Sequence, residues 1–259
     1  MEISVVIIGA GNLATRVSLV LQQKGATVVQ VYSRSVSAAS TLAHLLHCPF
    51  TTDPSAITSE ADIYLIAVAD SALELLLPEI NFNNKLIVHT AGSISVDVLK
   101  NFSANYGVFY PLQTFSKARE VDFSSIPICI EANSVNNEQR LVELGKLISR
   151  DVRIINSEQR KQLHLAAVFA CNFVNHLYAL SEEIIFEKGL TFDILRPLIT
   201  ETAAKVEYLS PRDAQTGPAK RADGNVMEEH LAMLDNNKHL KGLYQTLSDS
   251  ILTFYNQAK

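Results

Sequence analysis

The chain has 259 residues, a formal net charge of −5 from 22 Lys and Arg against 27 Asp and Glu, and 47% hydrophobic residues. A chain this long buries roughly three quarters of its unfolded surface without disulfides or a structural metal, and Cys48, Cys129 and Cys171 are widely spaced with no CxxC pair, which argues against both. The acidic balance and the lack of a Lys/Arg run argue against a nucleic-acid or anionic-membrane partner; with no targeting pattern and no apolar run near the roughly 20 residues of a spanning helix, a cytoplasmic protein is expected.

Ile3 to Ile8 is an apolar, β-branched run that stops at Gly9, and the apolar residues Leu13, Val17, Val20 and Leu21 then recur at helical spacing up to Gly25. Val28 to Tyr32 reads as a second strand, completing a βαβ unit. A helix from about Val36 to Leu46, a short strand near Pro49 to Thr51 and a buried strand from Asp62 to Val68 follow, then strands at Leu86 to His89, Val108 to Tyr110 and Ile126 to Glu131. A helix over Glu138 to Ile148 and a strand over Val152 to Ile155 end this half. Strands alternating with helices imply an α/β fold, a Rossmann-like, doubly wound and mostly parallel sheet over residues 1 to 155.

From residue 156 to 259 the pattern becomes all-helical. Ser157 can cap a helix that runs unbroken to Lys188, with Gly189 placed to end it; at about 1.5 Å per residue it is on the order of 45 Å long. Its middle is apolar nearly all round, so it needs other protein about it. Helices follow at about Phe192 to Leu209, Asn225 to Leu234, where Asn225 and Glu228 have capping-box spacing, and Lys238 to Asn256. Three helices are few to cover the long one, and a homodimer through this domain is the expectation.

Gly9-Ala10-Gly11-Asn12-Leu13-Ala14 is G-x-G-x-x-A between a strand and a helix. Gly9 permits the turn, Gly11 lets a pyrophosphate approach the backbone, and the free N–H groups at Asn12 and Leu13 open the helix toward it. Ser33-Arg34-Ser35 stands where an acid would bind the ribose of NAD; two hydroxyls and a guanidinium suit a 2′-phosphate instead, so NADP(H) is the expected cofactor. Ala67-Val68-Ala69-Asp70 and the segments carrying His89, Ser93, Gln113 and Thr114 follow strand ends on one edge, where an open α/β sheet binds ligands. The first is expected to hold cofactor and the others substrate. His164, Val168 and Asn172 fall at i, i+4 and i+8 of the long helix, making His164 the candidate proton donor and Asn172 the group that orients a substrate oxygen. Thr216 and Arg221 lie in the one long loop, Arg221 as a partner for a substrate carboxylate. His44, His47 and Cys48 lack a nearby carboxylate, and no metal is expected.

The fingerprint, Ser33-Arg34, His89-Thr90-Ala91-Gly92-Ser93, Pro111-Leu112-Gln113-Thr114-Phe115 and Thr216-Gly217-Pro218 with Arg221 and Asp223 together resemble the Rossmann-like proteins with a C-terminal domain of unknown function, often labelled NADP oxidoreductases of the deazaflavin-dependent type. More distantly the chain resembles pyrroline-5-carboxylate reductase, ketopantoate reductase and the beta-hydroxyacid dehydrogenases. The resemblance implies a nucleotide domain and a helical, dimer-forming second domain. The last two families use a helix Lys followed by Asn at i+4; here the helical triplet is His164, Val168, Asn172, so a Lys-based mechanism does not carry over. The sequence thus predicts an NADP(H)-binding reductase of a small carbonyl or imine, the alternative being a sensor of NADP(H) or a metabolite that signals through its helical domain.

Overall fold

The structure, a computed structural model, describes residues 3–256. Strands β1 (Ser4–Ile8), β2 (Thr27–Tyr32), β3 (Phe50–Thr51), β4 (Ile63–Ile66), β5 (Leu86–His89), β6 (Tyr106–Pro111), β7 (Ile128–Ala132) and β8 (Val152–Ile154) form one sheet in the order β3-β2-β1-β4-β5-β6-β7-β8. All neighbours run parallel except β6 and β7. Helices α1 (Asn12–Gln23), α2 (Val36–Leu46), α3 (Asp70–Leu76) and α4 (Val135–Ile148) connect them.

Side chains alternate across a strand, and β1 shows why its sequence is apolar throughout. Val5 and Ile7 face a core shared with Ala14, Val17, Leu21, Leu141 and Leu144, while Val6 and Ile8 face a second core with Tyr64, Leu73 and Phe82. Helices cover both faces, so Val5 to Ile8 are apolar on both sides of the strand. The doubly wound, mostly parallel sheet expected from the sequence is the architecture found.

Two details of the first half differ from expectation. Asp70–Leu76 is a helix where the sequence reading assigns no element, because its N-cap, Ala69, carries no side chain able to signal the start. The next difference lies at Asn156, which caps the long helix in place of Ser157: the Asn156 side chain accepts from Gln159 N–H and the Gln159 side chain accepts from Asn156 N–H, a complete capping box. Ser157 is thereby freed to bond elsewhere.

The long helix is built of α5 (Ser157–Ala167), a π-helical stretch over Val168–Phe173 and α6 (Val174–Phe186). The wider π turn breaks the even i, i+4, i+8 stepping predicted for His164, Val168 and Asn172. α7 (Arg196–Tyr208), α8 (Pro211–Ala214), α9 (Pro218–Arg221), α10 (Gly224–Met233) and α11 (Lys238–Asn256) complete the chain. Two of these, α8 and α9, fall inside the predicted loop, and Asp223 rather than Asn225 caps α10.

Contacts divide the chain into two compact units between Cys171 and Asn172, within the long helix, although the sequence changes character at Asn156. The start of α5 stays with the sheet because Arg160, fully buried, is tied to β7. The second unit places few side chains in a core, Leu180, Ala219, Leu240 and Ser248 among the described residues, while Phe186, Leu198, Tyr208, Met233 and Phe254 are exposed. The helix Ser157–Phe186 is also long and apolar enough by composition to cross a membrane, with a mean hydropathy of 1.3 over its best 18 residues. His164, Asn172, Asn175 and His176 break its apolar stretch into runs shorter than a spanning helix needs.

Candidate active site

Gly9 ends β1 at φ +117°, a conformation that side chains rarely adopt, and a Cβ there would lie 2.3 Å from the Ala67 carbonyl oxygen. The turn after β1 is thus pressed against the turn after β4. Gly11 is different: a Cβ built on it meets nothing within 4 Å. It caps α1 without a side-chain hydrogen bond, and no acidic residue occupies the first turn, so the leading N–H groups at Asn12 and Leu13 face outward with the positive end of the helix dipole.

In front of Gly11 lies a crevice of about 360 Å³ lined by Gly9, Gly11, Ser33, Arg34, Ala67, Val68 and Ala69, all expected from the sequence. Tyr32, Ala72, Leu75, Leu76 and Glu79 line it as well; Ala72, Leu75 and Leu76 come from α3 and Glu79 from the 3-10 turn after it, neither of which the sequence predicts. Arg34 is exposed at the rim. The Ser35 hydroxyl oxygen caps α2 by accepting from Ala38 N–H at 3.3 Å, so Ser35 bears on the crevice chiefly by setting where the Arg34 turn ends. Burial, aided by the Glu79 carboxylate and opposed by Arg34, pushes the Tyr32 phenol up. Open space at Gly11, an uncapped helix end and a free-standing guanidinium across the crevice fit a phosphorylated dinucleotide: Gly11, Asn12 and Leu13 for its pyrophosphate, Ser33 and Arg34 for a ribose phosphate.

Asp70 begins α3 and accepts a hydrogen bond from the Ser93 hydroxyl, joining the turns after β4 and β5. His89 is wholly buried; Nδ1 accepts from Ala91 N–H at 3.1 Å and Nε2 lies 3.4 Å from the Ser95 carbonyl oxygen. Expected to meet substrate, it instead spends both nitrogens on its own loop. The imidazole is held down at about 4, by burial first and by the nearby Arg160 guanidinium second, and so stays neutral. Its donor Nε2–H and acceptor Nδ1 fix the path of residues 89–95.

That loop carries Gly92, and His164 of α5 packs onto it: a Cβ at Gly92 would sit 2.7 Å from His164 Nδ1. The same Nδ1 lies 3.1 Å from the Tyr110 hydroxyl at the end of β6, with the rings edge to face at 6.2 Å. His164, half-buried, therefore stands at the carboxyl edge of the sheet between the loop after β5 and the end of β6.

What holds α5 in place was not legible from spacing. Arg160, one turn before His164, pairs with Glu131 of β7 and donates to the Ile94 carbonyl, while Ser157 Oγ donates to Glu131 at 2.7 Å and accepts from Val96 N–H at 3.0 Å. A charge pair this deep is stable because nearly every donor and acceptor finds a partner. Only a pairing across distant segments could have revealed it.

Gln113 and Thr114 are exposed beyond β6, where the Gln113 side chain folds back to accept from Thr114 N–H at 2.8 Å. Together with Leu112, Leu163 and Ala166 they border a second, largely apolar hollow of about 330 Å³. Asn172, Thr216 and Arg221 belong to the second unit and are exposed there. Among the described residues no group of three metal-ligating side chains occurs.

Residues 4–93 match the family of NADP oxidoreductases described as coenzyme F420-dependent, and residues 126–251 match a domain of unknown function. No protein of curated function matches the chain. Among solved structures, a protein of Bacteroides fragilis described as an NADP oxidoreductase is 47% identical, with 97% of this chain and 98% of that one covered at a TM-score of 0.93. A pyrroline-5-carboxylate reductase of Streptococcus pyogenes (14% identity, 97% and 99% covered, TM-score 0.65) shares the fold. So does an imine reductase of Myxococcus stipitatus solved with NADP+ (15% identity, 99% and 94% covered, TM-score 0.68). The chain thus belongs to the family of NADP oxidoreductases in which a Rossmann-like nucleotide domain is followed by a C-terminal domain of unknown function.

Proposed function

We propose that this protein is an NADP(H)-dependent reductase of a small carbonyl or imine compound. The observation that carries the reading is that one sheet edge holds both a crevice in front of Gly11 and a histidine, His164, with one ring nitrogen unpartnered among the described residues. NADPH, when bound, supplies the hydride. Gly11 admits the pyrophosphate, Arg34 and Ser33 hold the 2′-phosphate, and Leu75 and Leu76 offer apolar surface beside them. The turns at Ala67 to Asp70 and Ala91 to Ser93, locked together by the Asp70–Ser93 bond, keep the far end of the crevice rigid.

A carbonyl or imine that accepts hydride also needs a proton or a strong hydrogen-bond donor at its heteroatom. His164 is assigned that role, with Ser93, Gln113 and Thr114 bordering the substrate; in the second unit, taken by itself, Asn172 is the candidate for orienting a substrate oxygen, Arg221 for pairing with a carboxylate and Thr216 for a further polar contact. His89 serves the same loop from beneath. Proteins that share the fold include a pyrroline-5-carboxylate reductase and an imine reductase, which supports the substrate class.

The protein is proposed to act as a homodimer through residues 156 to 259, since the second unit leaves Leu198, Tyr208, Met233 and Phe254 uncovered and an obligate interface commonly buries 2,000 Å² or more. Light scattering should give twice the 28.5 kDa chain mass. Three unpaired cysteines suit the reducing cytoplasm. The deciding experiment is NADPH oxidation against keto acids, aldehydes and cyclic imines, with His164→Ala expected to keep NADPH affinity within a few-fold and lose about 10² in turnover. Tight NADPH binding with no turnover across that panel would instead support a sensor.

A further inference from the structure

Tyr110 is 9% exposed at the end of β6, and its hydroxyl lies 3.1 Å from His164 Nδ1. A neutral imidazole carries one proton, and the partner of one ring nitrogen decides which of the two holds it. Two arrangements satisfy the distance. In one the Tyr110 O–H donates to Nδ1, which leaves the proton of the ring on Nε2. In the other Nδ1–H donates to the phenol oxygen, and the phenol proton must then find a second acceptor.

Among the described residues no other acceptor faces the Tyr110 hydroxyl, so the second arrangement strands a largely buried donor, which costs on the order of one to several hydrogen bonds' worth of stability. Burial also pushes the phenol up from its ordinary value, with Cys129 and Asp70 adding to the shift and Arg160 opposing it, so the hydroxyl keeps its proton to donate. Two further contacts hold the His164 ring beside Tyr110. Gly92 lies against Nδ1 and Cγ, and α5 is anchored one turn earlier by the Arg160–Glu131 pair.

We infer that Tyr110 is a positioning residue that fixes neutral His164 as the Nε2–H tautomer, so that the nitrogen without a protein partner is always the donor. The inference rests on the proposed role of His164 for its functional meaning, but the tautomer itself is a property of the free protein. A neutral N–H donor is suited to stabilising negative charge that develops on a carbonyl oxygen as hydride arrives, without the ring having to be charged. Tyr110 acts only through His164.

Two-bond nitrogen–proton NMR on the full chain with labelled histidine, at a pH of about 8 where ordinary histidines are neutral, reads the tautomer directly; the His164 signals are assigned by their loss in His164→Gln. The expected result is an unprotonated, hydrogen-bonded Nδ1 and a protonated Nε2, with the Nδ1 resonance moving to the position of a free acceptor in Tyr110→Phe. A protonated Nδ1 in the unmutated protein, or an Nδ1 signal unmoved by Tyr110→Phe, overturns the inference. In turnover, Tyr110→Phe should lower kcat about tenfold, the worth of one oriented hydrogen bond, with NADPH affinity unchanged; an unaltered kcat beside a crippled His164→Ala also overturns it. If the NMR result holds and no substrate is ever reduced, the reductase reading falls while the tautomer assignment stands.

Discussion

Gly92 lies beneath the His164 ring so closely that one added carbon would stand 2.7 Å from Nδ1 and 2.8 Å from Cγ. Glycine here serves neither a turn nor a left-handed backbone; it makes room for an imidazole. Gly92→Ala should therefore fold and yet push His164 off Tyr110, an overpacking cost of about 1–3 kcal/mol. Thermal unfolding should show a drop of several degrees, and turnover should fall by at least tenfold. Wild-type values for both would mean that α5 can yield without loss.

The two fingerprint glycines should fail in different ways. Gly9→Ala places a carbon 2.3 Å from the Ala67 carbonyl at a φ of +117°, so soluble yield and unfolding temperature should both fall sharply. Gly11→Val projects into open space and should leave stability within about 1 kcal/mol while abolishing NADPH binding by calorimetry. A folded Gly11→Val protein that binds NADPH normally would remove the crevice from consideration as the pyrophosphate site.

Arg34 is exposed at the crevice rim, and a charged hydrogen bond to phosphate is worth roughly 1.5–3 kcal/mol. Arg34→Ala should weaken NADPH binding by one to two decades and leave NADH binding nearly as it was. Equal affinities for the two nucleotides in the unmutated protein would contradict this assignment.

His89 ties stability to pH in a stated direction. Its folded value, about 4, lies below the ordinary 6.5, so above pH 6.5 it is neutral in both states and contributes no slope. As pH falls from 6.5 toward 4 the unfolded chain takes up a proton that the folded chain refuses, and stability is lost by an amount on the order of 3 kcal/mol at the bottom of the window. Urea unfolding of His89→Asn, whose side-chain oxygen can still accept from Ala91 N–H, should be less stable at pH 7.5 but flatter between pH 6.5 and 5. Parallel curves for the two proteins would show that His89 titrates normally.

The nucleotide half was the legible part, for a physical reason. β1, β4 and β5 are buried on both faces, so their sequences carry apolar runs, and Gly9, which follows β1, is demanded by backbone geometry. Local capping was harder to read. Asn156 and Ser157 both have cap chemistry, and only Gln159 three residues beyond Asn156 distinguishes them; α3 starts at an alanine and sends no signal. Tyr110 sits in an apolar strand and reads as core until His164 is placed beside it. Arg160 and Glu131 are ordinary charged residues in sequence, and nothing in their surroundings announces a buried pair. The π-helical stretch likewise leaves no mark in residue spacing.

The guanidinium of Arg160 reaches back to the carbonyl of Ile94, 66 positions earlier in the chain. The turns after β1 and β4, by contrast, meet through Gly9 and Ala67, both in the first third of the chain. The segment from Ile94 to Val96 has to wait for Glu131, Ser157 and Arg160 to be made before it is fastened. A chain cut before α5 would therefore leave the Ile94 carbonyl and the Val96 N–H without the two side chains that fasten them, so the loop after β5 depends on a segment some sixty residues further along.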